Sequence, residues 1–133
     1  MTFCLSQKSL DHMKGIDDRL IAVVKRAIEI TPIDFGIPLD GGLRTADRQN
    51  QLFKAGKSKA DGYIKLSNHQ SGRAVDVFAY LNGYASWDAI HLAMIASAMM
   101  IAANELGIAI KWGGTFGSSS FQGWDKPHFE LML

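Results

Sequence analysis

The amino-acid sequence predicts an α+β fold, and two observations carry that reading. Segments with the period of helices and segments with the alternation of strands are mixed, without a regular strand–helix–strand order. The 133 residues fit one domain, 1–133, and no internal repeat, low-complexity tract or Pro- or Ser-rich linker divides them. At this length a single core buries roughly two-thirds of the unfolded chain's surface, so folding needs neither a disulfide nor a metal staple.

Taken in order, Ile16 to Thr31 reads as an amphipathic helix, because Leu20, Val23, Val24, Ala27 and Ile30 recur along one face. Asp17 and Asp18 suit its positive N-terminal end. Asp34 to Leu39 reads as a short strand, bounded by Pro32 and the Asp40-Gly41-Gly42 turn. Thr45 reads as the N-cap of a second helix running to about Ala55 and stopped by Gly56. Lys57 to Asn68 has no clear period and reads as a loop. Arg73 to Tyr80 alternates as one strand, with Ala74, Asp76 and Phe78 on one face and Val75, Val77 and Ala79 on the other. Ser86 reads as the cap of a long helix to about Leu106, ended by Gly107. That helix is apolar nearly all round, which predicts burial, with Met94, Met99 and Met100 filling the core. Ile108 to Trp112 and His128 to Leu133 are the last strands, joined by a Gly- and Ser-rich loop from Gly113 to Gly123.

Composition excludes some functions. The chain is 47% hydrophobic and 20% charged, ordinary for a globular protein, and its formal charge of +1 argues against a nucleic-acid partner. Its single cysteine, Cys4, allows no disulfide within the chain and has no catalytic motif around it, so it reads as an apolar side chain. Met1 to Lys14 lacks the features of a secretory signal. Ala89 to Asn104, the longest weakly charged stretch, is shorter than the ~18 residues expected of a spanning helix, so no membrane insertion is expected.

Four residues stand out for chemistry: His69, Asp76, Asp125 and His128. His69 and Asp76 are seven residues apart, which on one strand would put them on opposite faces. They converge only if the chain turns between them, and Gly72 supplies a place to turn. Two imidazoles and one carboxylate make a catalytic zinc set whose fourth position stays open to water. A further carboxylate is then needed to carry the proton, and Asp125 lies three residues before His128. His12 and His91 match no motif and read as structural or surface residues.

The surrounding residues sharpen this. Ser67, His69, Gly72, Ala74 and Asp76 fit a Ser-x-His-x-x-Gly-x-Ala-x-Asp pattern, and Asp125-Lys126-Pro127-His128-Phe129-Glu130-Leu131 follows as a second block. Both resemble the signatures of the D-alanyl-D-alanine carboxypeptidase-like zinc peptidases, with a hedgehog-like fold. Arg44-Thr45, with Gln49 and Leu52, and Trp112-Gly113-Gly114 resemble the phage endolysin branch, the L-alanyl-D-glutamate endopeptidases. The resemblance covers about Leu20 to Leu133. It implies a small antiparallel sheet carrying the metal site, flanked by about three helices.

It also implies Zn2+ on His69, Asp76 and His128, Asp125 as general base, and Arg44 holding the scissile carbonyl oxygen, as a fixed guanidinium can. Ser67 lines the site or is a turn serine. Gln49 is site-lining or a solvated helix residue, Trp112 walls the cleft or sits in the core, and Glu130 is a rival base or an outer partner of His128. Two departures stand out: Lys57 to Leu66 is longer than the family leads one to expect, and Phe116 replaces a frequent tryptophan.

The function implied is hydrolysis of the L-alanyl-D-glutamate bond in peptidoglycan stem peptides by a monomer. The alternatives are a D,D-carboxypeptidase or dipeptidase of the same fold, or an inactive zinc-containing wall-binding module. With no signal, the enzyme is expected in the host cytoplasm, reaching the wall through a phage-encoded pore.

Overall fold

The computed structural model describes residues 2–115 and 125–132. Phe116 and most of the Gly113 to Gly123 loop therefore lie outside the described residues. Among the described residues, four α-helices and six short strands run in the order α1 (Gln7–His12), α2 (Asp18–Ile30), β1 (Asp34–Gly36), α3 (Ala46–Lys54), β2 (Ala74–Asp76), β3 (Phe78–Leu81), β4 (Tyr84–Ser86), α4 (Ala89–Leu106), β5 (Ile110–Trp112) and β6 (His128–Leu131). The strands form two antiparallel sheets, ordered β1-β3-β4 and β2-β6-β5. The class is α+β, as the sequence predicts.

The Arg73 to Tyr80 strand corrects one expectation. It is two strands in two sheets, separated at Val77, whose N–H donates to the Pro127 carbonyl at 3.0 Å. Val75, Val77 and Ala79 are all fully buried, so the alternation continues across the break and the sequence pattern conceals it. The β1 strand also stops at Gly36 rather than Leu39. Pro38, without an N–H to add to a ladder, instead lends its carbonyl to the Gly41 N–H in the turn that follows.

Helix caps fall close to the sequence reading. Thr45 caps α3, its Oγ1 accepting from the Arg48 N–H at 3.1 Å, and Gly107 ends α4 with φ 69°. Asp17 is the cap of α2, rather than part of its first turn. Asp88, not Ser86, caps α4; Ser86 belongs to β4 and its Oγ pairs with His91 Nδ1 at 2.7 Å. Helix α1 is too short to show a period in the sequence. It is capped by Ser6, and the buried Ser9 Oγ accepts from the Ile37 N–H.

The core lies between the α2–α4 pair and the sheets, around Leu20, Val23, Val24, Ile95, Met99 and Phe129. Helix α4 is 18 residues long, enough by length and composition to cross a membrane, yet it packs as a core helix on one side only. Ile90, Met100 and Ile101 on it are exposed, because among the described residues nothing covers its outer face. Met99 fills the core as expected and Met100 does not.

Candidate metal centre

The β2-β6-β5 sheet places two of the chemical residues opposite each other. In the antiparallel register of β2 and β6, Asp76 faces His128 and Ala74 faces Glu130. His69 arrives from the turn before β2, where Gly72 takes φ 75° and reverses the chain. The Gly41-Gly42 turn fixes this approach: the Gly41 carbonyl accepts the Asp76 N–H at 2.8 Å, and the Gly42 carbonyl accepts from His69 Nδ1 at 3.0 Å. A Cβ on Gly42 would run into the His12 carbonyl, so the close approach requires glycine.

Three atoms converge. His69 Nε2 lies 3.2 Å from His128 Nδ1 and 3.3 Å from Asp76 Oδ1, and His128 Nδ1 lies 3.2 Å from Asp76 Oδ1. The outer contacts set the tautomers. His69 Nδ1–H donates to Gly42, and His128 Nε2–H donates to Glu130 Oε1 at 2.8 Å. With one proton on each ring, both inner nitrogens present lone pairs toward a carboxylate oxygen. Three acceptors this close need a cation among them, either a proton or a metal ion, and the group is a candidate metal site.

The electrostatics agree. Burial pushes the Asp76 carboxyl up, but contacts with His128 and His69 outweigh it and hold the group well below the usual carboxylate range. Burial lowers His128, and its bonds to Asp76 and Glu130 more than offset that, raising it to about 9. The carboxylates around His128 thus favour a positive charge at this point. Asp125, whose Oδ2 is 3.7 Å from His128 Nδ1, is raised mainly by burial. Glu130 is lowered by its bond to His128.

Arg44 sits behind Asp76. Its Nη2 donates to Asp76 Oδ2 at 3.2 Å, Nη1 to Gln49 Oε1 at 3.2 Å, and Nε to the Asp40 carbonyl at 3.0 Å. Three of its five N–H groups are committed, and one on each terminal nitrogen remains. Gln49 is neither cleft-lining nor solvated. It is fully buried, and its amide donates to Ser58 Oγ and the Ala60 carbonyl, tying Arg44 to the following loop.

Ser67 lines the cleft, and its Oγ accepts the His69 N–H at 3.2 Å. Of the two places expected for Trp112, the core is the one it takes: among the described residues it is not in the cleft lining but packs against the core, stacked near Phe129. Its Nε1–H donates to the Lys126 carbonyl at 2.6 Å, steadying the turn that carries Asp125 into His128. Gly113 is needed beneath that turn, because a Cβ there would meet the Asp125 carbonyl. Glu130 is also held by Asn68 Nδ2 at 3.0 Å, on the side of the His128 ring away from the centre. Sequence reasoning misses Gly42, Asn68 and Ser58; only the Gly41-Gly42 pair leaves a visible signal, and by itself that signal says no more than a turn.

The cleft over this group encloses about 580 Å³ and is lined by Arg44, His69, Asp76, Asp125 and His128, with a wall from the 57–66 loop. Residues 1–132 match the family model of the phage L-alanyl-D-glutamate peptidases. The chain belongs to that family. It is 30% identical over 120 residues to the L-alanyl-D-glutamate peptidase of Escherichia phage T5, covering 90% of this chain and 85% of that one. Its fold is similar to the crystal structure of the Serratia marcescens L-Ala D-Glu endopeptidase ChiX, with a TM-score of 0.82 and 32% identity, covering 97% of this chain and 90% of that one. Within this phage peptidase family, the converging His-Asp-His group and the cleft above it are where chemistry is to be sought.

Proposed function

We propose that this chain is a zinc-dependent endolysin that hydrolyses the L-alanyl-D-glutamate bond of peptidoglycan stem peptides. The observation that carries the reading is the triangle of His69 Nε2, Asp76 Oδ1 and His128 Nδ1, with edges of 3.2–3.3 Å. A tetrahedral zinc with ligand bonds of ~2.0–2.1 Å needs ligand atoms about 3.3 Å apart, so the donor set fits the ion in chemistry and spacing. Family membership, and the names of the two relatives, support the bond.

When bound, zinc lowers the pKa of a water toward ~7 and polarises the scissile carbonyl. Asp125 Oδ2 takes the proton released from the attacking water and passes it to the leaving nitrogen. Burial raises its pKa toward the working range, which improves both transfers. Arg44 has two tasks: one N–H holds Asp76 in its ligating pose, and the remaining N–H groups stabilise negative charge on the carbonyl oxygen. Glu130 fixes the His128 tautomer. We further take residues 1–133 as one catalytic unit, a monomer with no nucleic-acid partner or membrane insertion. It would be made in the host cytoplasm and reach the wall through a phage-encoded pore.

The test is metal content measured beside activity. His69→Ala, Asp76→Ala and His128→Ala should each lose zinc and hydrolysis together, and chelation should abolish an activity that Zn2+ restores. Hydrolysis that continues unchanged after complete metal removal rules the scheme out.

A further inference from the structure

The lining of the cleft is divided by charge. Asp125 and Glu130 bring carboxylates from the β6 side, whereas Lys57, Lys59 and Lys65 all come from the one loop that follows α3. We propose that Lys57 and Lys65 form a subsite for the free carboxylate of the substrate's glutamate residue, and that they make the enzyme prefer stem peptides in which this carboxylate is not amidated. This rests on the function proposed above.

The substrate's chemistry requires such a group. A glutamate acylated on nitrogen by alanine, and continuing the stem through one carboxyl, keeps its other carboxyl as an anion only a few bonds from the scissile nitrogen. That anion enters a cleft already holding Asp76, Asp125 and Glu130, where like charges repel it. Arg44 spends three of its five N–H groups on Asp40, Gln49 and Asp76. The remaining cationic lining is the lysine wall. Among the described residues no carboxylate pairs with Lys57 or Lys65, and both are exposed to the cleft.

The wall is built to stay in place. Asp61 Oδ1 accepts the N–H groups of Tyr63, Ile64 and Lys65 at 2.8, 2.8 and 3.1 Å, and Gly62 turns the chain with φ 89°. Gln49 and Asn50 of α3 bond Ser58, Ala60 and Asp61, while Gln70 Nε2 donates to the Gly62 carbonyl at 2.9 Å. These bonds use backbone groups and other side chains, so the ammonium groups of Lys57 and Lys65 play no part in the loop's own architecture. Flexible point charges carried on an anchored loop suit a carboxylate whose exact pose varies.

The experiment compares two acylated L-alanyl-D-glutamyl peptides that continue through one glutamate carboxyl to a blocked end. In one the other carboxyl is free; in its twin it is an amide. Wild-type enzyme should favour the free carboxylate in kcat/KM by about tenfold, the scale of a hydrogen bond to a charged group, and less at high salt. The Lys57→Met/Lys65→Met double variant should bring the ratio toward one with zinc content and Tm retained. Lys57→Glu/Lys65→Glu should invert it. Equal cleavage of both peptides by wild type, or a preference that survives in the Met variant, overturns the lysine subsite and leaves the proposed function standing. Cleavage of neither peptide overturns both.

Discussion

Replacing Glu130 by alanine separates two tasks that a carboxylate beside a metal can have, outer support of a ligand and proton transfer. Glu130 Oε1 accepts the His128 Nε2–H at 2.8 Å, and losing such a partner typically weakens metal binding by ~10–100-fold, or about 1.4–2.8 kcal/mol. Proton competition modifies this. In the metal-free protein His128 titrates at about 9, partly because of Glu130, so at pH 7 zinc must displace a proton at a cost of roughly 100-fold in affinity. Removing Glu130 lowers that pKa and returns part of the loss at pH 7, but nothing above pH 9. The ratio of variant to wild-type zinc Kd should therefore widen between about pH 7 and pH 9.5. A chelator competition titration across that range reads it directly, and kcat at saturating zinc should fall by no more than a few-fold. If zinc affinity is unchanged while kcat drops by orders of magnitude, Glu130 is the base and the role given to Asp125 is wrong.

Three further outcomes are expected. Asp125→Asn should keep its zinc and lose ~10²–10⁴-fold in kcat, since it removes proton transfer alone; a zinc-free variant would make Asp125 a ligand. Arg44→Ala should lower kcat by ~100-fold and also weaken zinc binding, because Asp76 loses its 3.2 Å partner, with Arg44→Lys recovering only part of the rate; unimpaired kcat would remove Arg44 from the site. In the metal-free protein, His128 has a folded pKa of about 9, above its ordinary ~6.5, so its stabilisation is full below pH ~6.5 and is lost as pH rises through about 9. The Tm of chelated enzyme should fall over that window, and His128→Gln should flatten the fall; a Tm that rises there contradicts the assignment.

Much of this site is legible in the amino-acid sequence, for physical reasons that differ residue by residue. Few residue types can hold a metal, so His69, Asp76 and His128 stand out as candidates by chemistry; their spacing alone says little, the motif blocks around them carry the reading, and Gly72 marks the turn they demand. Caps at Thr45 and Gly107 are visible because a helix end leaves backbone groups that only certain residues satisfy. The switch between sheets at Val77 is invisible, because burial alternates identically in one long strand and in two short ones that share a core. Gln49 escapes a sequence reading for a related reason: a polar amide on a helix carries no local sign of the guanidinium, hydroxyl and carbonyl it binds. Trp112 packs against the core, one of the two places expected of it, but its bond to the Lys126 carbonyl leaves no mark in the sequence. The hold of Arg44 on Asp76 depends on a contact 32 residues away along the chain, which only folding makes.

The central claim is that zinc held by His69, Asp76 and His128 drives cleavage between L-alanine and D-glutamate. Mass spectrometry of the new amino termini released from purified peptidoglycan tests it most directly, with zinc-loaded and chelated enzyme run side by side. The expected result is D-glutamate as the new terminus, present with zinc, absent after chelation and restored by Zn2+. A terminus at D-alanine, or a D-glutamate terminus that appears equally without metal, would contradict the account.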